Sequence, residues 1–228
     1  KEQFEKVVDS YRFHRKIWDD YSPALNEAVF DAIKELNVTK SQELEQLFKL
    51  VLNRDLGTPG VFNVIFDGEL ISFIEKLSNG FVGKDILIPW AELGVLAKAI
   101  DESKPNRLKC LDIQKTHGEF LQTILYNWEV IIDEPYEKVL EDTANYDLIL
   151  GRLPNRHESK KRKWSYEKNG ICIEHNYTDC LIAACIEKLK DEGLAVFIVP
   201  TSFLSPKHKD SSLWANMHAL GASIKSVI

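Results

Sequence analysis

Apolar residues recur at spacings of three and four through the N-terminal part of the chain. Phe4, Val7, Val8, Tyr11, Ile17 and Trp18 make one stripe. Leu25, Val29, Ile33 and Leu36 make a second, behind Ser22-Pro23, and Leu44, Leu47, Phe48, Val51 and Leu52 a third. Such spacing predicts amphipathic helices. Pro23 suits the first position of the second helix, and Thr39 or Ser41 can cap the third. Leu56-Gly57-Thr58-Pro59-Gly60 then breaks the pattern. Residues 1–56 are therefore expected to form a helical region and 57–228 a separate domain.

Beyond the break, short apolar runs alternate with helical periodicity. Helices are predicted over 66–77, 91–100, 119–127, 177–189 and 213–220. Strands are predicted at DILIPW (85–90), RLKCLDI (107–113), EVIID (129–133), YDLIL (146–150), LAVFIVP (194–200) and ASIKSVI (222–228), with Gly193 as the turn before the fifth. Alternation of this kind means βαβ crossovers and a mainly parallel sheet. The apolar density of DLIL and AVFIV is what strands covered on both faces require. The expected fold class is α/β.

Composition changes this picture little. The chain has 228 residues, 44% hydrophobic and 28% charged, which suits a globular α/β domain with a helical prefix. No apolar run is long enough for a transmembrane helix, and the charged start is unlike a secretory signal. Cys110, Cys172, Cys180 and Cys185 lie in apolar contexts without a CxxC pair, so buried thiols in a reducing, cytoplasmic setting are expected. A metal site from Cys172, His175 and Cys180 can be drawn, but no predicted turn gathers them.

The net charge of −6 argues against indiscriminate nucleic-acid binding. One segment runs the other way. RHESKKRKWSYEK (156–168) holds Arg156, Lys160, Lys161, Arg162 and Lys163, beside Trp164 and Tyr166. It reads either as a solvated loop or as a phosphate-contacting one whose aromatics stack on bases.

Strand ends carry the chemistry of open α/β sheets, which draws attention to YDLILGRLPN (146–155). This stretch resembles the "fDlIlgNPPf" segment of the adenine-specific DNA methyltransferases, particularly the modification subunits of restriction systems. LIAACIEKLKDEGLAVFIVPTSFLS resembles the helix, "LkpGG" turn and strand that follow in that family, and LWANMHALGASIKSVI resembles its later "R..Ll..g.l..vI". The resemblance runs from about Thr58 to Ile228. It implies a Rossmann-like class I S-adenosylmethionine-dependent fold, a mainly parallel sheet in three αβα layers. It also implies a cofactor over the first strands and a flipped adenine beside the fourth. A closing hairpin is usual in the family, so a further C-terminal portion or a protein partner is expected.

Both signature motifs are altered. Pro89 and Gly94 match the cofactor loop, but Ile88 stands at the acidic position and Glu92 at the first glycine. Glu92 would set a like charge beside the cofactor's carboxylate. S-adenosylmethionine binding in the usual manner is therefore not expected, although Asp85 or Glu92 could take its ammonium in a shifted pose. By resemblance, Asp112 would hold the ribose and Asp133 would approach the adenine ring of the cofactor; each is equally well a loop or capping residue.

At the catalytic motif, Arg152 stands for the Asn, Leu153 and Pro154 for the two prolines, and Asn155 for the aromatic residue. An amino group undergoing methylation gains positive charge and needs acceptors. Arginine offers only donors. Arg152 is expected instead to bind a phosphate or to pair with a carboxylate such as Glu158. Three readings follow. One is a methyltransferase-like module without catalysis that faces DNA or a protein. Another is an active S-adenosylmethionine-dependent N-methyltransferase with unusual motifs, and the last is a phosphate-binding protein. No Walker loop or G-x-S-x-G elbow occurs. His117 and Glu119 offer an acid/base pair, but the Glu is poorly placed to orient the ring and such pairs are usually surface residues.

Overall fold

The computed structural model describes residues 68–92, 94–113, 115–154, 164–174, 176–199, 203 and 212–225. The three expected N-terminal helices lie outside these residues. Five strands form one open sheet: β1 (Asp85–Ile88), β2 (Arg107–Asp112), β3 (Glu129–Ile132), β4 (Tyr146–Arg152) and, after a separate hairpin, β7 (Leu189–Ile198). Their order is β3-β2-β1-β4-β7 and every pairing in this sheet is parallel. Helices join them: α1 (Gly68–Ser78) precedes β1, α2 (Val95–Glu102) links β1 to β2, and α3 (Lys115–Ile124) links β2 to β3. Then α4 (Pro135–Glu141) leads to β4, and α5 (Tyr177–Ile186) leads to β7.

The inner strands β1, β2 and β4 are covered on both faces, as their sequence demands, whereas the edge strand β7 has no fully buried residue, so AVFIV is not covered as expected. Leu87, Leu111 and Ile149 pack with Tyr136, Val139 and the α5 residues Cys180, Leu181 and Ala184. Ile86, Ile88, Leu108, Cys110, Leu148 and Leu150, of opposite parity, are buried too. On their side, Gly118 of α3 lies so close to Ile132 that an added Cβ would fall 2.2 Å from its Cγ1. This is the three-layer, doubly wound arrangement expected.

Several boundaries differ from expectation. α5 ends at Ile186 and β7 begins at Leu189, because Tyr146 pairs with Leu189 before the register slips and Leu148 pairs with Leu194. The extra residues carry Lys190 to the sheet's N-terminal edge, where its Nζ donates to Asp85 Oδ2 (2.8 Å) and Asp147 Oδ2 (2.9 Å). Ala222–Lys225 forms no strand; these residues follow α6 (Ser212–Asn216) and its turn, and 226–228 lie outside the described residues. An antiparallel hairpin, β5 (Ser165–Lys168) with β6 (Ile171–Glu174), was not foreseen. Its turn, Asn169-Gly170, has φ 51° and 79°, the twist that suits two-residue hairpins.

Candidate functional site

In this strand order the chain leaves β1 toward β2 on one side, while β4 leads to β7 on the other. The crevice beyond the carboxyl ends of β1 and β4 is thus the topological switch point, where open α/β sheets bind ligands. Pro89 closes β1 and would lie 3.4 Å from a Cβ on Gly151 of β4, so the two strand ends adjoin. Across them Arg152 Nη1 donates to Glu92 Oε1 at 2.8 Å, with side chains 23% and 22% exposed. The two residues that depart most from the resembled motifs therefore meet each other.

The backbone after β1 is tightly specified. Ala91 N–H donates to Leu111 O (2.9 Å), Gly94 N–H to Ala91 O (2.9 Å), and Glu92 N–H to Asp112 Oδ2 (2.8 Å). Glu92 sits at φ 51°, in the left-handed region that glycine enters at little cost. Gly94, at φ 81°, has no room for a side chain: a Cβ would fall 2.5 Å from Leu121 Cδ2 and 2.9 Å from Ile124 Cδ1. The loop keeps a glycine-like path although only one of the two positions is glycine.

Asp112 ends β2 fully buried and, through Glu92 N–H, fixes the loop beside it. Asp133 follows β3, about half exposed. Its Oδ1 accepts from Glu134 N–H (2.7 Å) and its Oδ2 lies 3.2 Å from Lys138 Nζ. The backbone donor, then the lysine, hold its carboxyl below the usual range. Asp133 thus precedes Glu134, the N-cap residue of α4, and its carboxylate is half exposed to solvent.

An aromatic wall of edge-to-face rings forms around Tyr177, at the start of α5. Trp164 meets Tyr177 edge-on at 4.7 Å between centroids, Tyr136 meets Trp164 at 5.9 Å, and Trp90 meets Tyr177 at 6.1 Å. Tyr177 donates through its hydroxyl to the buried Glu134 Oε1 at 2.6 Å, and Thr178 donates to the Pro154 carbonyl. Leu153 N–H extends the β4–β7 ladder by donating to Ile198 O (2.9 Å). Sequence reading did not single out Glu134, Tyr177 or Thr178. The signals present were Glu134-Pro135 before a helix and Asn176 as a cap, whose side chain accepts from Thr178 N–H.

Four expectations need correction. Arg152 does pair with a carboxylate, but it is Glu92, brought from a neighbouring strand end by the β1–β4 pairing. Asp85 cannot serve a cofactor from β1's other end: it is bonded to Lys190 and to Asn106, which hold its carboxyl below the usual range. Trp164 and Tyr166 are buried, not offered for stacking, because hairpin alternation turns Tyr166 inward and Trp164 joins the aromatic wall. Cys172 is exposed, since it points outward from β6 between the buried Ile171 and Ile173; the other three thiols are buried. Asn155, Arg156, Lys160, Lys161, Arg162, Lys163, His117, His175 and Glu119 lie outside the residues whose side chains are described.

No protein-family model matches the chain, and no curated protein matches it in sequence. Solved structures do. A candidate class I S-adenosylmethionine-dependent methyltransferase from Listeria monocytogenes superposes with a TM-score of 0.65 at 11% identity, covering 94% of this chain and 77% of that one. A candidate RNA methyltransferase from Pyrococcus horikoshii gives 0.47 at 15% identity, covering 75% and 77%. The chain has the Rossmann-like class I methyltransferase fold. Among the described residues no helix is long and apolar enough to cross a membrane.

That fold implies S-adenosylmethionine, and the side chains present do not fit it while the ion pair is closed. Pro89, Gly94 and Asp112 are compatible with the resembled loop. The Glu92 carboxylate, however, occupies the glycine position and would oppose a ligand carboxylate. Asp112 Oδ2, moreover, accepts the Glu92 N–H.

Proposed function

We infer that this chain is a methyltransferase-fold module of the adenine-specific DNA modification type that no longer transfers methyl groups and acts by binding DNA or a partner protein. The observation that carries this reading is the Glu92–Arg152 ion pair at the switch point. Methylating an exocyclic amine needs an acceptor facing the nitrogen as positive charge develops. Arg152 supplies only donors, and its guanidinium adds a positive charge at the same place. Pro154's carbonyl is engaged by Thr178. Two independent motif positions have thus changed into one complementary pair.

DNA is the preferred partner on the sequence of the 156–168 segment, with Arg156, Lys160, Lys161, Arg162 and Lys163 in a chain that is otherwise acidic. Such a segment contacts phosphate locally and without reading bases. Fluorescence anisotropy with duplex DNA across a salt series tests this. Replacing Lys160, Lys161, Arg162 and Lys163 by alanine should weaken binding and lower the slope of log K against log salt by about 0.9 for each phosphate no longer neutralised. An unchanged slope would remove DNA from the proposal. The second reading is an active N-methyltransferase, favoured by the retained glycine-like path of the β1 loop; it requires methyl transfer to DNA or protein.

A further inference from the structure

Resting on the reading above, we propose that the Glu92–Arg152 pair is a removable plug. The β1 loop keeps the backbone of a ligand-binding loop, and these two side chains exclude a small zwitterionic ligand from the switch-point crevice. The loop's path is set by bonds that do not use the Glu92 side chain. They are Ala91 N–H to Leu111 O, Gly94 N–H to Ala91 O, and the Glu92 N–H itself to Asp112 Oδ2. Gly94, wedged against Leu121 and Ile124, fixes the start of α2. A glutamate at φ 51° is strained. Its surroundings, not its side chain, impose that conformation.

The plug includes a charge contact at the crevice whose two side chains are each about one-fifth exposed. Deleting the Glu92 carboxylate removes a like charge from the path of an anionic group. It also leaves the Arg152 guanidinium able to pair with that group in a charge-assisted bond. Arg152 thus favours a carboxylate-bearing ligand, and the fold makes one of the S-adenosylmethionine kind the probe to use.

Isothermal titration of S-adenosylmethionine and S-adenosylhomocysteine into the full chain and its E92G and E92A variants tests the plug, with circular dichroism melts to verify folding. Wild type should give no resolvable heat, and E92G should bind at least about tenfold more tightly, with E92A improved in the same direction. Folded E92G and E92A that bind no better than wild type overturn the plug and leave the proposed function standing. Micromolar binding by wild type overturns both. If E92G does not fold, E92A decides; if neither folds, the claim that other contacts fix the loop is wrong.

Discussion

The glycine-like path of the β1 loop predicts an inverted ranking of two conservative variants. Glu92→Ala and Glu92→Gly both delete the carboxylate, so both lose the 2.8 Å bond to Arg152. For a pair this shielded the loss is about 1 kcal/mol, near the upper end for exposed pairs. Alanine retains a Cβ at φ 51°, where an L-residue costs roughly 1–2 kcal/mol. Glycine escapes that cost but gives back about 0.4–1 kcal/mol through greater freedom in the unfolded chain. The net expectation is that E92G is more stable than E92A by about 0.5–1 kcal/mol. With an m-value of about 2 kcal/mol/M, that separates urea midpoints by roughly 0.3–0.5 M. In most backbone settings alanine would be the more stable of the two. Urea unfolding followed by circular dichroism reads the difference. An E92A midpoint equal to or above that of E92G would refute the left-handed conformation at this position, and with it the claim of a retained ligand loop.

Three further outcomes follow from the same geometry. Tyr177→Phe should cost about 1–3 kcal/mol in urea unfolding, because the buried Glu134 carboxylate loses the hydroxyl that donates to it at 2.6 Å; a change within error would mean this bond contributes nothing. Gly118→Ala, ordinarily helpful inside a helix, should destabilise by about 1–3 kcal/mol, since the new Cβ would stand 2.2 Å from Ile132 Cγ1; a more stable variant would contradict the α3–β3 packing. Lys190→Ala should raise the acid-unfolding midpoint followed by ellipticity. The Lys190 bond is the main reason Asp85 titrates below the usual range. At Asp147 burial is the largest influence and pushes the carboxyl up, but the Lys190 bond, the Asp85 N–H and the charges of Lys190 and Lys84 together bring it below the usual range. Carboxyls lowered by folding stabilise the native state above about pH 4, and that stabilisation disappears as pH falls through their folded values. An unmoved midpoint would sink the assignment.

The sheet was legible because its strands announce themselves. Leu148, Ile149 and Leu150 are consecutive apolar residues, all buried in β4, as a strand covered on both faces requires; AVFIV, in and just after the edge strand β7, is only half-buried. The hairpin at 165–174 was missed for the opposite reason. Glu167, Lys168, Cys172 and Glu174 face solvent, so the run read as a continuation of the basic loop despite the Asn169-Gly170 turn. The end of α5 was misjudged because LIAACIEKL stays helical in pattern through Leu189, whereas backbone pairing with Tyr146 claims that residue for β7. Each change in the candidate site was visible by itself as a residue of the wrong chemistry. Their meeting was not, since it depends on β1 lying beside β4, a tertiary fact that no local pattern encodes.

The most direct measurement is transfer of label from methyl-tritiated S-adenosylmethionine by the wild-type chain to duplex DNA, single-stranded DNA and mixed protein. A switch point closed by Glu92 and Arg152 predicts acid-precipitable counts no higher than those of a boiled control. Counts that rise with time and with chain concentration on any of these acceptors would contradict a module that binds without catalysis.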